Sequence, residues 1–315
     1  MANKMFIAGD WGTTNLRLYL CDASKSGSPI VLDRKIGSGV SRVSGSFADC
    51  IFALIDPWLQ AHDSLPTLLS GAIGSNVGWH EAPYLPCPVS ASDIAGGYLE
   101  FVERDVEFLI VSGVKTQNPL GAADVMRGEE LQILGWLRQA KLNDTSARLF
   151  ALPGTHNKWV WYENGKISNF LTAYTGELYG LLRQHSILIG EHRDQPFSTE
   201  AFLRGVATIQ SLGEAQLVHV LFGTRSKQLL GELPSHEAES YLSGLITGAD
   251  VLGALKVFAK GSKEQPAVEV IGAEHLADKY SLALDHLQIK AGRSDPEKIT
   301  VAGFQAVFDV FNNNR

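Results

Sequence analysis

The alternation of apolar and polar residues near the start of the chain predicts two strands joined by an unusual loop. The stretch FIAGDWGTTNLRLYLCD, residues 6–22, is apolar at both ends, as in buried strands. Its middle carries small and polar residues, namely Gly9, Asp10, Gly12, Thr13 and Thr14. Glycine is a poor strand residue, but it permits sharp turns and close approach to the backbone. The segment therefore predicts a strand, a tight loop and a second strand.

The rest of the first half contains further strand and helix patterns. Another strand is expected near residues 29–36 and a helix from about 46 to 61, and the apolar runs TLLSGAIGS and VEFLIVSGV indicate buried strands. The segment GWHEAPYLPCP contains three prolines and is expected to lack regular structure. DVMRGEELQILGWLRQA has apolar residues at helical spacing and acidic residues at its start, which predicts a helix.

The loop of the first segment occurs a second time. RLFALPGTHNKWVWYENGK, residues 148–166, again predicts a strand, a small-residue loop and a strand, followed by a hairpin turn at Asn164 and Gly165. When the two loops are aligned on their glycines, the pattern Gly-Thr-x-Asn at 12–15 matches the same pattern at 154–157. The match suggests two related half-molecules.

The remainder of the second half is rich in helical patterns: TGELYGLLRQHSIL, AFLRGVATIQSL, RSKQLLGEL and SYLSGLITGADVLGALKVF. After a predicted loop, KGSKEQP, residues 267–285 predict a buried strand, a break at Gly272 and Ala273, and a helix. Such a break lets a flat ring lie against the backbone at the end of a strand, where nucleotides bind in α/β sheets. A plain strand-to-helix turn is an equally good interpretation of this segment alone.

The repeated loop has a composition that suits a phosphate accompanied by Mg²⁺. Asp10 offers a carboxylate, Thr13 and Thr14 offer hydroxyls, and the small residues leave amide N–H groups free. Because the loop is duplicated, we expect a nucleotide held between two lobes, each contacting it from one side. For the first loop alone, an ordinary glycine-rich hairpin is the alternative.

Composition and charge narrow the class of protein. A chain of 315 residues is long enough for two lobes with separate cores. No run of 18 apolar residues occurs, so we expect neither a transmembrane helix nor a signal peptide, and a cytoplasmic location. The net charge of -7, without a Lys/Arg cluster, argues against a nucleic-acid partner. The three cysteines are widely spaced, which indicates reduced thiols rather than zinc or disulfides.

Three spaced elements resemble the motifs of a known superfamily. DWGTTNLR, PGTHNKW and VIGAEHLADKY stand in the order of the two phosphate motifs and the adenosine motif of the actin, hexokinase and Hsp70 superfamily. More closely, GSNVGWHEAPYLPCP, DVMRGEE, LPGTHNKW, TGEL and YLSGLITGA together resemble the 2-keto-3-deoxygalactonate kinase family, also called 2-dehydro-3-deoxygalactonokinases, over residues 8 to about 280. The resemblance implies an α/β fold of two RNase-H-like lobes, the actin-like ATPase fold, with a nucleotide cleft between them.

The resemblance also implies a reaction: transfer of the ATP γ-phosphoryl group to the C6 hydroxyl of 2-dehydro-3-deoxy-D-galactonate, in galactonate or galactose breakdown, with Mg²⁺. Residues 1–145 would form the N-terminal lobe, and residues 146–315 the C-terminal lobe, whose last helix is a candidate to pack back on the first. The expected partners are a sugar acid and ATP, with no nucleic acid and no membrane. The sequence leaves the oligomeric state open, and a homodimer is one option.

Several residues are candidates for binding ATP and its metal. Asp10 is the candidate ligand of Mg²⁺, through a water molecule. Arg17 could reach the γ-phosphate or form an ion pair on the sheet. Lys158 could contact phosphate, although a lysine in mid-strand is more often solvated. The full set of predicted nucleotide contacts is Gly12, Thr13, Thr14, Arg17, Gly154, Thr155, His156, Lys158, Gly272 and Ala273.

Three carboxylates near the start of the predicted helix compete for the role of general base: Asp124, Glu129 and Glu130. The sequence RGEELQ resembles the G-x-E-E helix start of the superfamily's polyphosphate-hydrolysing branch, which favours Glu129 and leaves Asp124 second. Neighbouring helical residues face about 100° apart, so Glu129 and Glu130 cannot both point at one hydroxyl. Compensation of the helix dipole is the competing interpretation of these acids.

Selection of a sugar acid requires donors for its carboxylate. Arg127 could bind that carboxylate through two parallel hydrogen bonds. The loop around residue 78 could supply further contacts from Ser75, Asn76, Trp79 and Glu81. Glu81 could equally be structural, and an aromatic residue such as Trp79 is more often a packing anchor in a loop.

Two other functions fit the same superfamily. One is a phosphohydrolase that delivers water to a phosphoanhydride, and the other is an ATP-gated binding or regulatory protein. A kinase should release ADP only with a sugar acid present, a hydrolase should release phosphate alone, and a binding protein should do neither. No helix-turn-helix extension is visible in the sequence, which counts against a regulator.

Overall fold

The computed structural model describes residues 4–24, 29–62, 65–140, 146–190, 195–258 and 266–315. The strands are β1 (Met5–Trp11), β2 (Asn15–Asp22), β3 (Ile30–Ser38), β4 (Thr67–Ser70), β5 (Tyr84–Pro86), β6 (Val89–Ser90), β7 (Tyr98–Glu103), β8 (Val106–Val111), β9 (Gly113–Gln117), β10 (Ala123–Met126), β11 (Arg148–Leu152), β12 (Asn157–Glu163), β13 (Lys166–Ala173), β14 (Ala267–Ile271) and β15 (Ala291–Ser294). The helices are α1 (Phe47–Ala61), α2 (Ala91–Gly96), α3 (Glu129–Gln139), α4 (Thr175–His185), α5 (Thr199–Leu212), α6 (Leu217–Leu221), α7 (Gly223–Leu229), α8 (Ala238–Phe258), α9 (Glu274–His286) and α10 (Pro296–Asn313).

Two large sheets repeat one strand order. The N-terminal sheet runs β3-β2-β1-β4-β8-β7, and the C-terminal sheet runs β13-β12-β11-β14-β15, with β6 added beside β13. In the N-terminal sheet, β1, β2 and β3 pair antiparallel and β4 lies parallel to β1. In the C-terminal sheet, β11, β12 and β13 likewise pair antiparallel and β14 lies parallel to β11. The shared order confirms the α/β fold class and the two related halves predicted from the repeated loop.

Local sequence signals place several elements correctly. Asn164 and Gly165 join β12 to β13 with φ angles of 51° and 79°, as the predicted two-residue hairpin turn requires. Helix α1 begins after Ser46, whose side chain accepts a hydrogen bond from the Asp49 amide at 3.0 Å. These turns and caps depend on adjacent residues, which is why the sequence alone predicts them.

The prediction of irregular structure for GWHEAPYLPCP is wrong at its centre. Residues Tyr84–Pro86 form β5, which pairs in parallel with β9. This strand lies at the edge of a small sheet with the order β10-β9-β5. At an edge, one side of the strand needs no ladder hydrogen bonds, so the missing N–H of Pro86 is tolerated.

The predicted helix DVMRGEELQILGWLRQA begins later than expected. Its first residues form β10, and α3 begins at Glu129, after Gly128. Asp124 therefore lies on a strand and not at the helix start, so that part of its prediction is wrong. The acidic residues of the first helical turn are Glu129 and Glu130.

The predicted closing helix exists as α10 and packs against α3. Arg138 of α3 forms an ion pair of 2.7 Å with Asp309, and the Gln132 amide donates to Thr300 at 3.3 Å. Both helices belong to a core that also includes residues from both large sheets, such as Phe6 and Phe150. The C-terminal helix thus supports the helix that carries Glu129. Strand β15, just before it, was not predicted.

One described helical stretch, residues 235–258, is long and apolar enough to cross a membrane. Of its apolar window, 67% is buried inside the protein, where α8 packs against α5. A core helix has the same length and composition, and this burial accounts for the apolar sequence of α8. Residues 141–145, next to the predicted lobe boundary, and 259–265, most of the predicted loop KGSKEQP, lie outside the described part of the chain.

Candidate active site

A cleft of about 690 Å³ is lined by residues from both halves of the chain. It brings together the two glycine loops, the start of α3 and the turn after β14. The predicted site residues that line it are Asp10, Gly12, Thr13, Arg17, Ser75, Arg127, Glu129, Gly154, Thr155, His156, Lys158, Gly272 and Ala273. Segments that are distant in the sequence therefore meet in one site.

The first glycine loop, residues 12–14, is held by a neighbouring backbone segment. Its three carbonyls accept hydrogen bonds of 3.0–3.1 Å from the N–H groups of residues 39–41. The approach is so close that a Cβ on Gly39 would lie 2.2 Å from the carbonyl carbon of Thr14. In a trans peptide the N–H points opposite to the C=O, so the amides of Thr13 and Thr14 face away from this segment. This geometry suits an anion bound by backbone N–H groups.

The second glycine loop, residues 153–156, is covered in the same way by the start of α4. The Glu177 amide donates to the Thr155 carbonyl at 2.9 Å. A Cβ on Gly176 would lie 2.2 Å from the Gly154 carbonyl oxygen, so glycine is required there. The His156 N–H accordingly points away from α4. In both halves of the chain, therefore, hydrogen bonds to the loop carbonyls orient the loop amides away from the covering segment.

Asp10 lies at the end of β1, opposite Arg17 of β2. Arg17 Nη1 is 3.1 Å from Asp10 Oδ2, and the side chains are 54% and 28% exposed. Of the two roles predicted for Arg17, the structure shows the ion pair on the sheet. Burial raises the pKa of Asp10, and the charge of Arg17 opposes that rise. Asp10 thus presents a carboxylate to the cleft beside the first glycine loop.

Glu129 is the first residue of α3, and its side chain lines the cleft. Its Oε2 accepts a hydrogen bond from the Arg127 amide at 3.0 Å. Burial raises the pKa of Glu129, while the charge of Lys158, from the other half of the chain, lowers it. A carboxylate with a raised pKa is a stronger base than an ordinary one. Glu129 therefore lies at the helix start and presents a candidate base to the cleft.

Glu130, the next residue of α3, does not line the cleft and is fully buried. Both of its oxygens accept from the Gly128 amide, at 2.9 and 2.8 Å. Burial, together with repulsion from Glu129, raises the pKa of Glu130 to about 8. The two carboxylates therefore diverge, as helical geometry predicts, and Glu129 is the one that lines the cleft.

Because the folded protein keeps a proton on Glu130 that the unfolded chain loses, its stability should fall as pH rises between about 4.5 and 8. Glu130→Gln has no such proton. We expect the free energy of unfolding of the wild type, relative to this variant, to decrease by about 2–4 kcal/mol from pH 5 to pH 8. Denaturant melts of both proteins at several pH values measure this difference. A difference that stays constant with pH would contradict the assignment.

Arg127 is anchored largely to the main chain. Its Nη2 donates to the Ala82 carbonyl at 2.7 Å and its Nη1 faces the Val111 carbonyl at 3.4 Å. The guanidinium also stacks 4.2 Å from the centre of the Tyr84 ring. These contacts fix the side chain at the wall of the cleft. A contact with the carboxylate of a sugar acid stays a prediction, and it would use the donors that do not face the main chain.

His156 and Lys158 extend the second loop into the cleft. His156 Nε2 lies 2.6 Å from Glu177 Oε2, and its ring stacks on Tyr174 with centroids 5.3 Å apart. Lys158 is only 7% exposed, so the expectation of a solvated lysine in mid-strand is wrong. A buried ammonium group facing the cleft is suited to an anionic ligand.

Five predicted site residues do not line the cleft: Thr14, Asn76, Trp79, Glu81 and Asp124. Asn76 and Glu81 are exposed on the loop that follows β4. Trp79 packs edge-on against Phe101 and Phe108, each at 5.1 Å between ring centroids, and is therefore a packing anchor. The loop around residue 78 thus contributes Ser75, and not its aromatic residue, to the cleft.

Asp124 joins the small sheet to the C-terminal sheet. Its carboxylate accepts hydrogen bonds from the Thr172 amide at 2.8 Å, the Thr172 hydroxyl at 2.6 Å and the Asn118 amide at 3.2 Å. Both carboxylate oxygens are occupied in this way. The structure thus places Asp124 at a contact between sheets.

Sequence reasoning missed part of the cleft wall, namely Tyr19, Ser70, Gly71, Gln132, Glu297 and Thr300. Ser70 and Gly71 end a buried strand with small residues, the same signal that identified both glycine loops. Glu297 and Thr300 belong to the first turns of α10, whose position no local pattern reveals. The packing of α10 on α3 and an ion pair of 2.7 Å between Glu297 and Arg34 bring them to the cleft.

Comparison with known proteins adds independent findings. A sequence model of the 2-keto-3-deoxy-galactonokinase family matches residues 10–307. The 2-dehydro-3-deoxygalactonokinase of Escherichia coli (strain K12) is 33% identical over 279 residues, covering 88% of each chain. A Rhizobium meliloti (strain 1021) protein named "Probable 2-dehydro-3-deoxygalactonokinase DgoK1" is 29% identical over 96% of this chain and 95% of its own. A crystal structure of a candidate 2-dehydro-3-deoxygalactonokinase from Sinorhizobium meliloti superimposes with a TM-score of 0.85, at 28% identity, over 97% of this chain and 99% of that one.

Proposed function

Because the chain belongs to the 2-keto-3-deoxy-galactonokinase family, and is therefore a sugar-acid kinase, we propose that it transfers the ATP γ-phosphoryl group to the C6 hydroxyl of 2-dehydro-3-deoxy-D-galactonate. The product is 2-dehydro-3-deoxy-6-phosphogalactonate, formed in the cytoplasm during galactonate or galactose breakdown. The observation that supports this best is that both glycine loops and Glu129 line the same cleft.

The glycine loops bind the phosphates in this proposal. Phosphoryl transfer depends on holding the phosphates in line with the acceptor and on neutralising their charge. Amides of the first loop contact the γ-phosphate from one side, and the second loop contacts the β-phosphate from the other. Lys158 adds a positive charge, and Gly272 and Ala273 accommodate the adenosine.

The residues of the cleft could hold a Mg²⁺ ion that is bound mainly by water and by the phosphates of ATP. No group of three or more His, Cys, Asp or Glu side chains that could hold a metal occurs among the described residues. Mg²⁺ keeps several waters and is usually bound by one or two carboxylates and the substrate phosphates, so one carboxylate, Asp10, is sufficient. When bound, the ion neutralises charge on the transferring phosphoryl group.

Glu129 is the general base of the proposed reaction. It accepts the proton of the C6 hydroxyl as the oxygen attacks the γ-phosphorus, while the bond from that phosphorus to the β,γ-bridging oxygen breaks and ADP leaves. The charge of Lys158 lowers the pKa of Glu129 and so opposes the effect of burial, which raises it. Arg127 and Ser75 position the sugar acid, with Arg127 directed at its carboxylate.

The test of this function is ADP release measured with ATP, Mg²⁺ and a panel of acceptors. We expect release with 2-dehydro-3-deoxy-D-galactonate, and little with glucose, glycerol or water alone. Removal of Mg²⁺ with a chelator should stop it. Turnover on glucose, with none on the keto acid, would overturn the substrate assignment. Release of phosphate without an acceptor would favour a hydrolase.

A further inference from the structure

Asp250 of α8 accepts four hydrogen bonds behind the second glycine loop. Its Oδ2 accepts from the Asn157 side-chain amide at 2.7 Å, from the Thr175 hydroxyl at 2.8 Å and from the Tyr280 hydroxyl. Its Oδ1 accepts from the Trp159 indole N–H at 2.7 Å. These donors are all buried. Asp250 itself does not line the cleft.

The four donors come from the elements that frame the proposed ATP site. Asn157 and Trp159 follow the second glycine loop directly on β12, and Thr175 begins α4, which covers the carbonyls of that loop. Tyr280 lies on α9, the helix that follows the Gly272–Ala273 turn. One carboxylate thus joins the loop, its covering helix and the helix after the adenosine turn.

The loop and the turn also touch on their cleft side. A Cβ on Gly272 would lie 2.9 Å from Cγ of Pro153, so the turn after β14 rests directly on the second loop. On the cleft side, the loop and the turn meet by van der Waals contact. Away from the cleft, Asp250 connects the same two segments by hydrogen bonds. Four hydrogen bonds meet at the Asp250 carboxylate, whereas the contact on the cleft side is van der Waals only, so the connection through Asp250 is the stiffer of the two.

The other half of the chain has no equivalent among the described residues. Asn15 occupies the position that matches Asn157 in the repeated Gly-Thr-x-Asn pattern, but Asn15 is exposed, whereas Asn157 is fully buried. Both halves therefore share the Gly-Thr-x-Asn pattern, but only the second half buries its asparagine. In the proposed site, only the second half contributes both phosphate and adenosine contacts, so only its loop must be aligned with a second nucleotide-binding segment.

We propose that Asp250 is a positioning residue that fixes the second glycine loop and the Gly272–Ala273 turn relative to each other, so that both contact one bound nucleotide. The inference rests on the proposed function, because it takes these two segments as ATP contacts. Asp250 acts through them and touches neither the nucleotide nor the sugar acid. Its loss should therefore weaken nucleotide binding without changing recognition of the sugar acid.

The test uses Asp250→Asn and Tyr280→Phe. The asparagine can keep its oxygen toward three donors, but it turns its own NH2 group toward the buried Trp159 N–H, so that two donors face each other and neither is paired. Tyr280→Phe only removes a single donor. We expect the KM for ATP and the Kd for ADP, measured by calorimetry, to rise about tenfold in Asp250→Asn and about threefold in Tyr280→Phe. The KM for the sugar acid should stay within about twofold of the wild type.

Tyr241→Phe is the matched control, because it removes a buried tyrosine hydroxyl from the same helix, α8, at a contact of 3.2 Å with Thr208. It should leave ADP affinity unchanged. If folded Asp250→Asn binds ADP as the wild type does, the inference is wrong while the proposed function stands. If Asp250→Asn does not fold, unchanged ADP affinity in Tyr280→Phe overturns the inference by itself. A wild type that fails to bind ADP would instead refute the proposed function.

Discussion

Glu129→Gln should lower kcat by about 10²- to 10⁴-fold, while the KM for the sugar acid changes little. Glutamine has the size of glutamate and can still accept the hydrogen bond from the Arg127 amide, so the helix start is preserved. It cannot take the proton of the C6 hydroxyl. Steady-state kinetics of the purified variant, with circular dichroism to confirm folding, measure this effect.

The pH dependence of kcat should also differ between the wild type and Glu129→Gln. The base works only when it is ionised, and burial raises the pKa of Glu129. In the wild type, kcat should therefore fall as the pH is lowered, with an apparent pKa above that of an ordinary glutamate. The variant should lack this acid limb, because its residual activity does not depend on the base.

Glu130→Gln is the matched control for Glu129→Gln. It makes the same chemical change one residue along the helix, at a side chain that is fully buried and outside the cleft. Its effect should appear in stability and not in kcat. If Glu129→Gln costs only about 0.3–1 kcal/mol of stability and leaves kcat intact, then Glu129 merely offsets the helix dipole. A rate loss confined to Asp124→Asn would move the base to that residue.

Asp10→Ala should reduce turnover by at least about 10³-fold, because it removes the carboxylate proposed to hold Mg²⁺ against the phosphates. Raising the Mg²⁺ concentration should restore part of the activity if the defect lies in metal binding. Kinetics across a Mg²⁺ titration measure both effects. Wild-type kinetics in Asp10→Ala would mean that the first glycine loop is an ordinary hairpin.

Arg17→Met separates the roles of the metal and of the ion pair. Asp10→Ala also breaks the 3.1 Å contact with Arg17, which could affect the sheet. Arg17→Met breaks the same contact but keeps the carboxylate. Since Arg17 is 54% exposed, the ion pair itself contributes little stability, about 0–1 kcal/mol. Arg17→Met should therefore cost far less activity than Asp10→Ala, and equal losses would mean that Arg17 is itself required, through the ion pair or through a contact with phosphate.

The parts of the fold that the sequence predicts are those that depend on neighbouring residues. The Gly-Thr-x-Asn pattern revealed both glycine loops because each loop needs small residues between two strands. The duplication of that pattern then indicated two related halves, and the repeated strand order confirms them. The divergence of Glu129 and Glu130 followed from helical geometry alone.

The parts that the sequence does not predict depend on contacts between distant segments. Asp124 belongs to a strand because it pairs with Thr116, and its carboxylate is occupied by Thr172 from another sheet. Asp250 lies in the middle of a largely apolar helix, where an isolated acid gives no functional signal. Its partners are separated from it by as many as 93 residues, so only the folded chain shows them.

The most direct test of the proposed reaction is the phosphorus NMR spectrum of the product formed from ATP and 2-dehydro-3-deoxy-D-galactonate. Carbon 6 of the substrate carries two hydrogens, whereas the other hydroxyl-bearing carbons of its open chain that could accept phosphate carry one. Transfer to the C6 hydroxyl should therefore give a phosphate ester signal split into a triplet by two protons, and this signal should be absent with Glu129→Gln over the same reaction time. A doublet would place the phosphate on another hydroxyl, and an unsplit signal of inorganic phosphate alone would show that the cleft hydrolyses ATP without phosphorylating the sugar acid.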